Sequence, residues 1–111
     1  MATDNSSSLT SGNILVDLVE TAQELKCLFL QRMDTLNTAK LDKAVLAKLA
    51  SPGVKKIVFD LAKVDYIDSS FLRLCVRVSK AGPGEFAIVN VTPTVRKVLT
   101  IAGFENLAEI S

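Results

Sequence analysis

Apolar residues arrive along this chain in short blocks, separated by polar stretches and glycine–proline breaks. Residues 1–12, MATDNSSSLTSG, carry little that could be buried and predict a flexible tail ahead of a domain over 13–111. Residues 13–20, Asn13-Ile14-Leu15-Val16-Asp17-Leu18-Val19-Glu20, predict a strand, and the more fully apolar residues 25–30 a second. So short a turn between them, Thr21-Ala22-Gln23, makes them antiparallel neighbours. Asn37 or Thr38 then offers a cap for a helix running to Ala50, with Leu41, Ala44, Val45 and Leu49 on one face. Ser51-Pro52-Gly53 ends it, since proline cannot continue a helix and glycine accepts the dihedrals beyond one.

Residues 55–61 predict a third strand, apolar on both faces at Ile57-Val58-Phe59 and therefore central. The stretch Val64-Asp65-Tyr66-Ile67-Asp68-Ser69-Ser70-Phe71-Leu72 follows, and a helical pattern leaves it over 72–80. That helix is apolar almost all round, with Leu72, Cys75 and Val76 in one row and Phe71, Leu74 and Val78 in another. Only Arg73, Arg77 and Lys80 make a charged strip, either a solvated face or a docking surface for an acidic partner. Ala81-Gly82-Pro83-Gly84 stops it, and residues 85–91 predict a fourth strand. Thr92-Pro93 starts a third helix with threonine at the cap and proline in the first turn. Its face is Val95, Val98, Leu99 and Ala102, Gly103 suits the left-handed position beyond its end, and residues 107–110 close the chain as a short strand. The order β-β-α-β-α-β-α-β predicts an α/β fold: a mixed β-sheet with helices packed mainly on one face, because the opening hairpin supplies no helix for the other.

Composition narrows the chemistry. At 111 residues the chain is one domain with room for a core of its own. A formal charge of +1 gives no electrostatic case for nucleic acid or an anionic membrane. No apolar run approaches the ~18 residues of a membrane span, and the N-terminus has no basic-then-apolar signal pattern, so a cytoplasmic protein is expected. Histidine is absent, which removes Ser-His-Asp and Cys-His catalysis and the HExxH metal site. Neither GxGxxG nor GxxxxGK[ST] occurs, and Cys27 and Cys75 read as small buried thiols. A non-enzymatic protein is expected.

What remains is Asp68-Ser69-Ser70, where a strand–loop segment becomes a helix. Hydroxyls cap there, and backbone N–H groups favour negative charge. Read from the residues alone, Ser69 is either a cap or a carrier of phosphate.

The order of elements, with Ile57-Val58-Phe59-Asp60-Leu61 leading to Val64-Asp65-Tyr66-Ile67-Asp68-Ser69-Ser70, resembles the STAS domain of bacterial anti-sigma factor antagonists. Met33-Asp34-Thr35-Leu36-Asn37 is similar to that family's segment between second strand and first helix. Phe86-Ala87-Ile88-Val89-Asn90-Val91 followed by Thr92-Pro93-Thr94-Val95-Arg96-Lys97-Val98-Leu99 is similar to its fourth strand and third helix. The resemblance spans residues 13–110 and implies a phosphorylation-controlled partner switch. The unphosphorylated antagonist binds an anti-sigma factor that is also a GHKL-type serine kinase, releasing the sigma factor. The kinase phosphorylates the serine after the motif aspartate, here Ser69, and a PP2C-type phosphatase resets it. ATP belongs to the kinase, so this chain holds no cofactor.

The resemblance also implies roles for the neighbours. Ser70 is the alternative phosphoacceptor or a structural hydroxyl of the first turn. Asp68 shapes the kinase contact or complements the helix N-terminus. Asp34 and Asn37 lie on the partner-facing edge or serve as turn and cap. After the Asp-Ser-Ser motif the family has glycine, then leucine and often another glycine, whereas here stand Phe71, Leu72 and Arg73. Either Phe71 anchors in a matching pocket of the partner, with Arg73 beside it, or the usual kinase contact is lost. The second case would make this a non-phosphorylated STAS interaction subunit of a transport ATPase complex or of a signalling scaffold.

Overall fold

The computed structural model describes residues 6–8, 15–21, 23–82 and 84–111. Alternation decides how the opening strands lie. In β2 (Val16–Glu20) Val16 and Leu18 are buried, and in β3 (Glu24–Phe29) Leu25, Cys27 and Phe29 are, each separated by a more exposed neighbour. Pairing is antiparallel with Val16 opposite Phe29 and Leu18 opposite Cys27, so both apolar rows share one face of the sheet. Ser6–Ser8 forms β1, antiparallel to β2 at the sheet edge. These three residues depart from the expected tail, since edge pairing uses the backbone and asks nothing of the side chains. The rest of that expectation over 1–12 lies outside the described residues.

The helix α1 (Thr35–Leu49) crosses from β3 to β4 (Lys56–Asp60), which is parallel to β3 with Leu25 beside Ile57 and Cys27 beside Phe59. The helix α2 (Ser69–Ala81) leads to β5 (Glu85–Val89), and α3 (Pro93–Ile101) to β6 (Glu109–Ile110), both strands again parallel to their predecessors. The six strands stand in chain order, giving a mixed sheet that is antiparallel over β1 to β3 and parallel from β3 to β6. Successive right-handed crossovers stepping in one direction put α1, α2 and α3 on the same face. This is the expected architecture. Strand β4 is central as its apolar run predicted, with Ile57, Val58, Phe59 and Asp60 all buried.

The helical face is filled by aromatic and aliphatic side chains. Phe29 meets Phe59 edge-on at 4.8 Å between ring centroids, and Phe59 meets Phe86 at 5.0 Å. Leu41, Val45 and Leu49 come down from α1, and Leu74, Cys75 and Val78 from α2. Both cysteines are free and buried, as read from the sequence; burial raises the Cys27 thiol to about 12 and pushes Cys75 up as well. At the far end Thr92 caps α3, Pro93 occupies its first turn, and Gly103 takes the left-handed φ of 77° that lets Phe104 fold back into the core.

Two helix starts differ from expectation. The first helix begins at Thr35, capped by Asp34 rather than by Asn37 or Thr38, and α2 begins at Ser69 rather than at Leu72. In both cases a carboxylate captures free amides one turn before the apolar pattern begins, and an apolar periodicity has no sign for that extra turn.

Candidate functional site

The loops leaving the carboxyl ends of β3 and β4 lie side by side, the position at which α/β sheets gather their sites. Each is anchored by apolar residues in a polar run. Met33 is fully buried among Arg32, Asp34 and their neighbours, and Val64 and Ile67 are buried on the other loop. Met33 and Ile67 form a parallel bridge: the Met33 amide donates to the Tyr66 carbonyl at 2.9 Å, and the Asp68 amide donates to the Met33 carbonyl at 3.2 Å. Asp60 steadies the start of the second loop, its Oδ1 accepting from the Ala62 amide at 3.0 Å and its Oδ2 from the Asn90 side chain at 3.1 Å.

From this zipped pair of loops the two helices start in the same way. Asp34 caps α1, accepting from the Asn37 amide at 2.9 Å, and Asp68 caps α2, accepting from the amides of Ser70 at 2.9 Å and Phe71 at 3.4 Å. Thr35 couples the two caps. Its hydroxyl donates to Asp68 Oδ2 at 2.8 Å and itself accepts from the Ser70 hydroxyl at 3.1 Å. Desolvation would raise the Asp68 carboxyl, but the Thr35 hydroxyl and the amides of Ser70, Phe71 and Thr35 together outweigh it and hold the group below its ordinary value.

The residues singled out from the sequence fall into four groups. Ser69 stands exposed in the first turn of α2, beside the helix-start amides. Asp68 and Ser70 flank it in the chain and are engaged within the turn, whereas Asp34 and Asn37 are engaged at the start of α1. Asp34 pairs with Arg32 at 3.5 Å besides capping, and the Asn37 side chain donates to the Arg32 carbonyl at 2.8 Å. Phe71 is a correction. It is 0 % exposed, packed edge-on against Phe29 at 5.2 Å and tilted against Phe59 at 5.9 Å, so it belongs to the core and presents nothing to a partner. The first turn of α2 turns its third residue toward the sheet, where a large apolar ring is what the position favours. Arg73 is exposed and lies along a cleft between α1 and α2.

Four contributors were not identified as such from the sequence. Thr35 reaches Asp68 across 33 residues, a contact that no local pattern encodes. Arg32 stacks on the Tyr66 ring at 4.6 Å from its centroid, leaving Tyr66 43 % exposed, and Leu36 stands 65 % exposed on the first turn of α1. An apolar residue on the polar face of a helix start was the available signal for Leu36. Among the described residues no group of histidine, cysteine, aspartate or glutamate is placed to hold a metal ion, and no helix is long and apolar enough to cross a membrane.

Comparison with known proteins agrees with this arrangement. A family model for the STAS domain matches residues 19–111. BtrV of Bordetella bronchiseptica, a candidate anti-sigma factor antagonist by its name, is 32% identical over 82 residues, covering 71% of this chain and 70% of that protein. The solved structure of an anti-sigma-factor antagonist (STAS) domain protein from Planctomyces limnophilus superposes with a TM-score of 0.78 at 24% identity, covering 86% of this chain and 87% of that one. The Bacillus cell fate determinant SpoIIAA in its phosphorylated form superposes with a TM-score of 0.69 at 17% identity, covering 86% and 90%. The fold is an α/β domain in which the loops leaving β3 and β4 are zipped together and the starts of α1 and α2 are coupled. The chain belongs to the STAS domain family.

Proposed function

We propose that this domain is an anti-sigma factor antagonist operating as a partner switch: it binds a GHKL-type anti-sigma kinase when Ser69 is unphosphorylated and releases it when Ser69 is phosphorylated. The observation that carries this reading is the contrast between the two adjacent serines. The Ser70 hydroxyl is committed to Thr35, whereas Ser69 is exposed beside it. A kinase therefore meets an exposed hydroxyl at Ser69 on a turn already fixed by Asp68, Met33 and Phe71, while the hydroxyls of Thr35 and Ser70 beside it are hydrogen-bonded. The Ser69 oxygen attacks the γ-phosphorus of the kinase's ATP, ADP leaves, and the hydroxyl proton passes to a base on the kinase. A PP2C-type phosphatase would hydrolyse the ester and restore the hydroxyl.

The charge explains the switching. Phosphate adds about −1.5 to −2 at neutral pH. The helix-start amides offset part of it, so the domain stays folded. A docked partner would have to desolvate that charge beside Asp68, and a few kcal/mol is enough to dissolve a micromolar complex, itself worth about 8 kcal/mol. Arg32, Leu36 and Tyr66 flank the turn and offer the exposed apolar and cationic surface such a partner would cover. The relationship to BtrV and the fold shared with phosphorylated SpoIIAA support the same reading. With Phe71 in the core, the transporter or scaffold reading loses one of the two residues that favoured it.

The test is affinity capture and mass spectrometry from native cells. Ser69→Ala should retain a kinase partner constitutively, Ser69→Asp should lose it, and wild-type protein should carry phosphate on Ser69. If both variants captured the same partners as wild type, Ser69 would not be the switch.

A further inference from the structure

The charged strip of α2 does not behave as one solvated face. Arg73 and Arg77 line a cleft of about 220 Å³ between α1 and α2, together with the hydroxyl-bearing Thr35, Thr38 and Ser70 and with Asp42. Arg77 is drawn across it by Asp42 at 3.8 Å, and Asp42 also accepts the Lys43 amide at 2.7 Å. Thr38 contributes the anomaly. It is 4 % exposed, and its Oγ1 is the single buried side-chain polar atom without a hydrogen-bond partner among the described residues. Leaving a buried hydroxyl unpaired is costly, and a fold that needed only packing there would be served by valine. Thr38 lines the cleft, so a ligand held there is the group within reach that would satisfy this hydroxyl.

We propose that this cleft binds the phosphoryl group of a small phosphorylated molecule or of free phosphate. Two guanidinium groups one helical turn apart supply paired charge-assisted donors, and the Thr38 hydroxyl supplies a further one, since Thr35 and Ser70 already donate to Asp68 and to Thr35. The Asp42 carboxylate is already occupied by Arg77 and a backbone amide, so Arg73, Arg77 and Asp42 leave the cleft with a net single positive charge. The volume is below the ~300 Å³ at which drug-sized sites begin, which limits the ligand to a few atoms beyond the phosphoryl group. This inference does not rest on the switch at Ser69, and its failure would leave that reading untouched.

The experiment is an amide NMR titration of the full chain with inorganic phosphate and with glycerol 3-phosphate, with acetate at matched ionic strength as the control. Saturable shifts are expected at Thr35, Thr38, Ser70, Arg73 and Arg77 with the phosphates and not with acetate. Tighter binding of glycerol 3-phosphate identifies a phosphorylated small molecule as the ligand, and tighter binding of inorganic phosphate identifies free phosphate. Arg73→Gln should weaken binding about tenfold or more, the loss of one charge-assisted bond. Arg96→Gln, removing an arginine on α3 that donates to the Ser111 carbonyl, should not change it. Thr38→Val should act in opposite senses, raising the melting temperature of the unliganded chain by a few degrees while weakening phosphate about threefold or more. Absence of saturable shifts, unchanged affinity in Arg73→Gln, or a Thr38→Val that stabilises with full phosphate affinity would each overturn the proposal.

Discussion

The Thr35 hydroxyl donates to the Asp68 carboxylate at 2.8 Å and so fastens the start of α1 to the start of α2. Neither residue could do this from its own helix. Asp68 is held in place by the bridge between Met33 and Ile67, and Thr35 by the Asp34 cap immediately before it. The turn that carries Ser69 is thus built from both loops at once.

Removing one partner of that bond tests how much the coupling contributes. Thr35→Val should destabilise the fold by about 1–3 kcal/mol, the range for losing a hydrogen bond to a charged acceptor, with the lower end expected because the site is partly exposed. Asp68→Asn should weaken the cap as well. In denaturant unfolding the double variant should lose less than the sum of the two singles, because each single already breaks the shared bond. Strict additivity would show that the bond carries no stability.

Acid should find the same group. The Asp68 carboxyl lies below its ordinary value in the folded chain, so the unfolded chain binds the proton more readily. Its contribution is complete above the unfolded value of about 3.9 and is lost as pH falls through the lower folded value. Unfolding midpoints measured from pH ~6 downward should therefore fall less steeply for Asp68→Asn than for wild type in the acid limb, with the two curves separated by a constant gap above it. Parallel curves through the acid range would contradict the depressed value.

Phe71 makes the sharpest contrast with a surface role. Its ring closes a cluster with Phe29 and Phe59, and Phe71→Ala should cost about 3–5 kcal/mol, the usual range for deleting a buried aromatic ring. Phe71→Gly should cost about 1 kcal/mol more through the loss of helix propensity. Loss of partner binding in either variant would then follow loss of fold, and thermal denaturation of the isolated domain separates the two. A variant with an unchanged melting temperature would return Phe71 to the surface.

These residues also mark how far the sequence could be read. The strands and the sheet were legible because burial on one or two faces writes itself as alternation or as a continuous run, as in Leu25-Lys26-Cys27-Leu28-Phe29 against Ile57-Val58-Phe59. Thr92-Pro93 and Gly103 were legible because capping and left-handed dihedrals restrict residue type. Phe71 already stood in an apolar row of its helix with Leu74 and Val78, and was misassigned because it was weighed against the glycine that the resembling family has there rather than against that row. Thr35 was invisible as a site residue because its partner is fixed by tertiary structure alone. The unpaired hydroxyl of Thr38 was hidden for the same reason: from the sequence it was one of two choices for a cap, and its burial is a product of tertiary packing.

The two serines should respond differently to an added negative charge. A carboxylate from Ser69→Asp enters the first turn of α2 in solvent, where the helix dipole favours it by about 0.3–1 kcal/mol and the neighbouring Asp68 opposes it by a similar amount. The melting temperature should stay within a few degrees of wild type. Ser70→Asp instead deletes the hydroxyl that donates to Thr35 and sets a second carboxylate against the Thr35–Asp68 pair. It should lower the melting temperature by several degrees at low ionic strength, and salt should recover part of the loss, since the repulsion is screened and the missing hydrogen bond is not. Thermal denaturation of both variants at two salt concentrations distinguishes them. Equal and salt-independent losses would mean that the two positions are not distinguished by the turn, and the case for Ser69 as the residue that can accept a phosphate without unfolding its own domain would fall with that result.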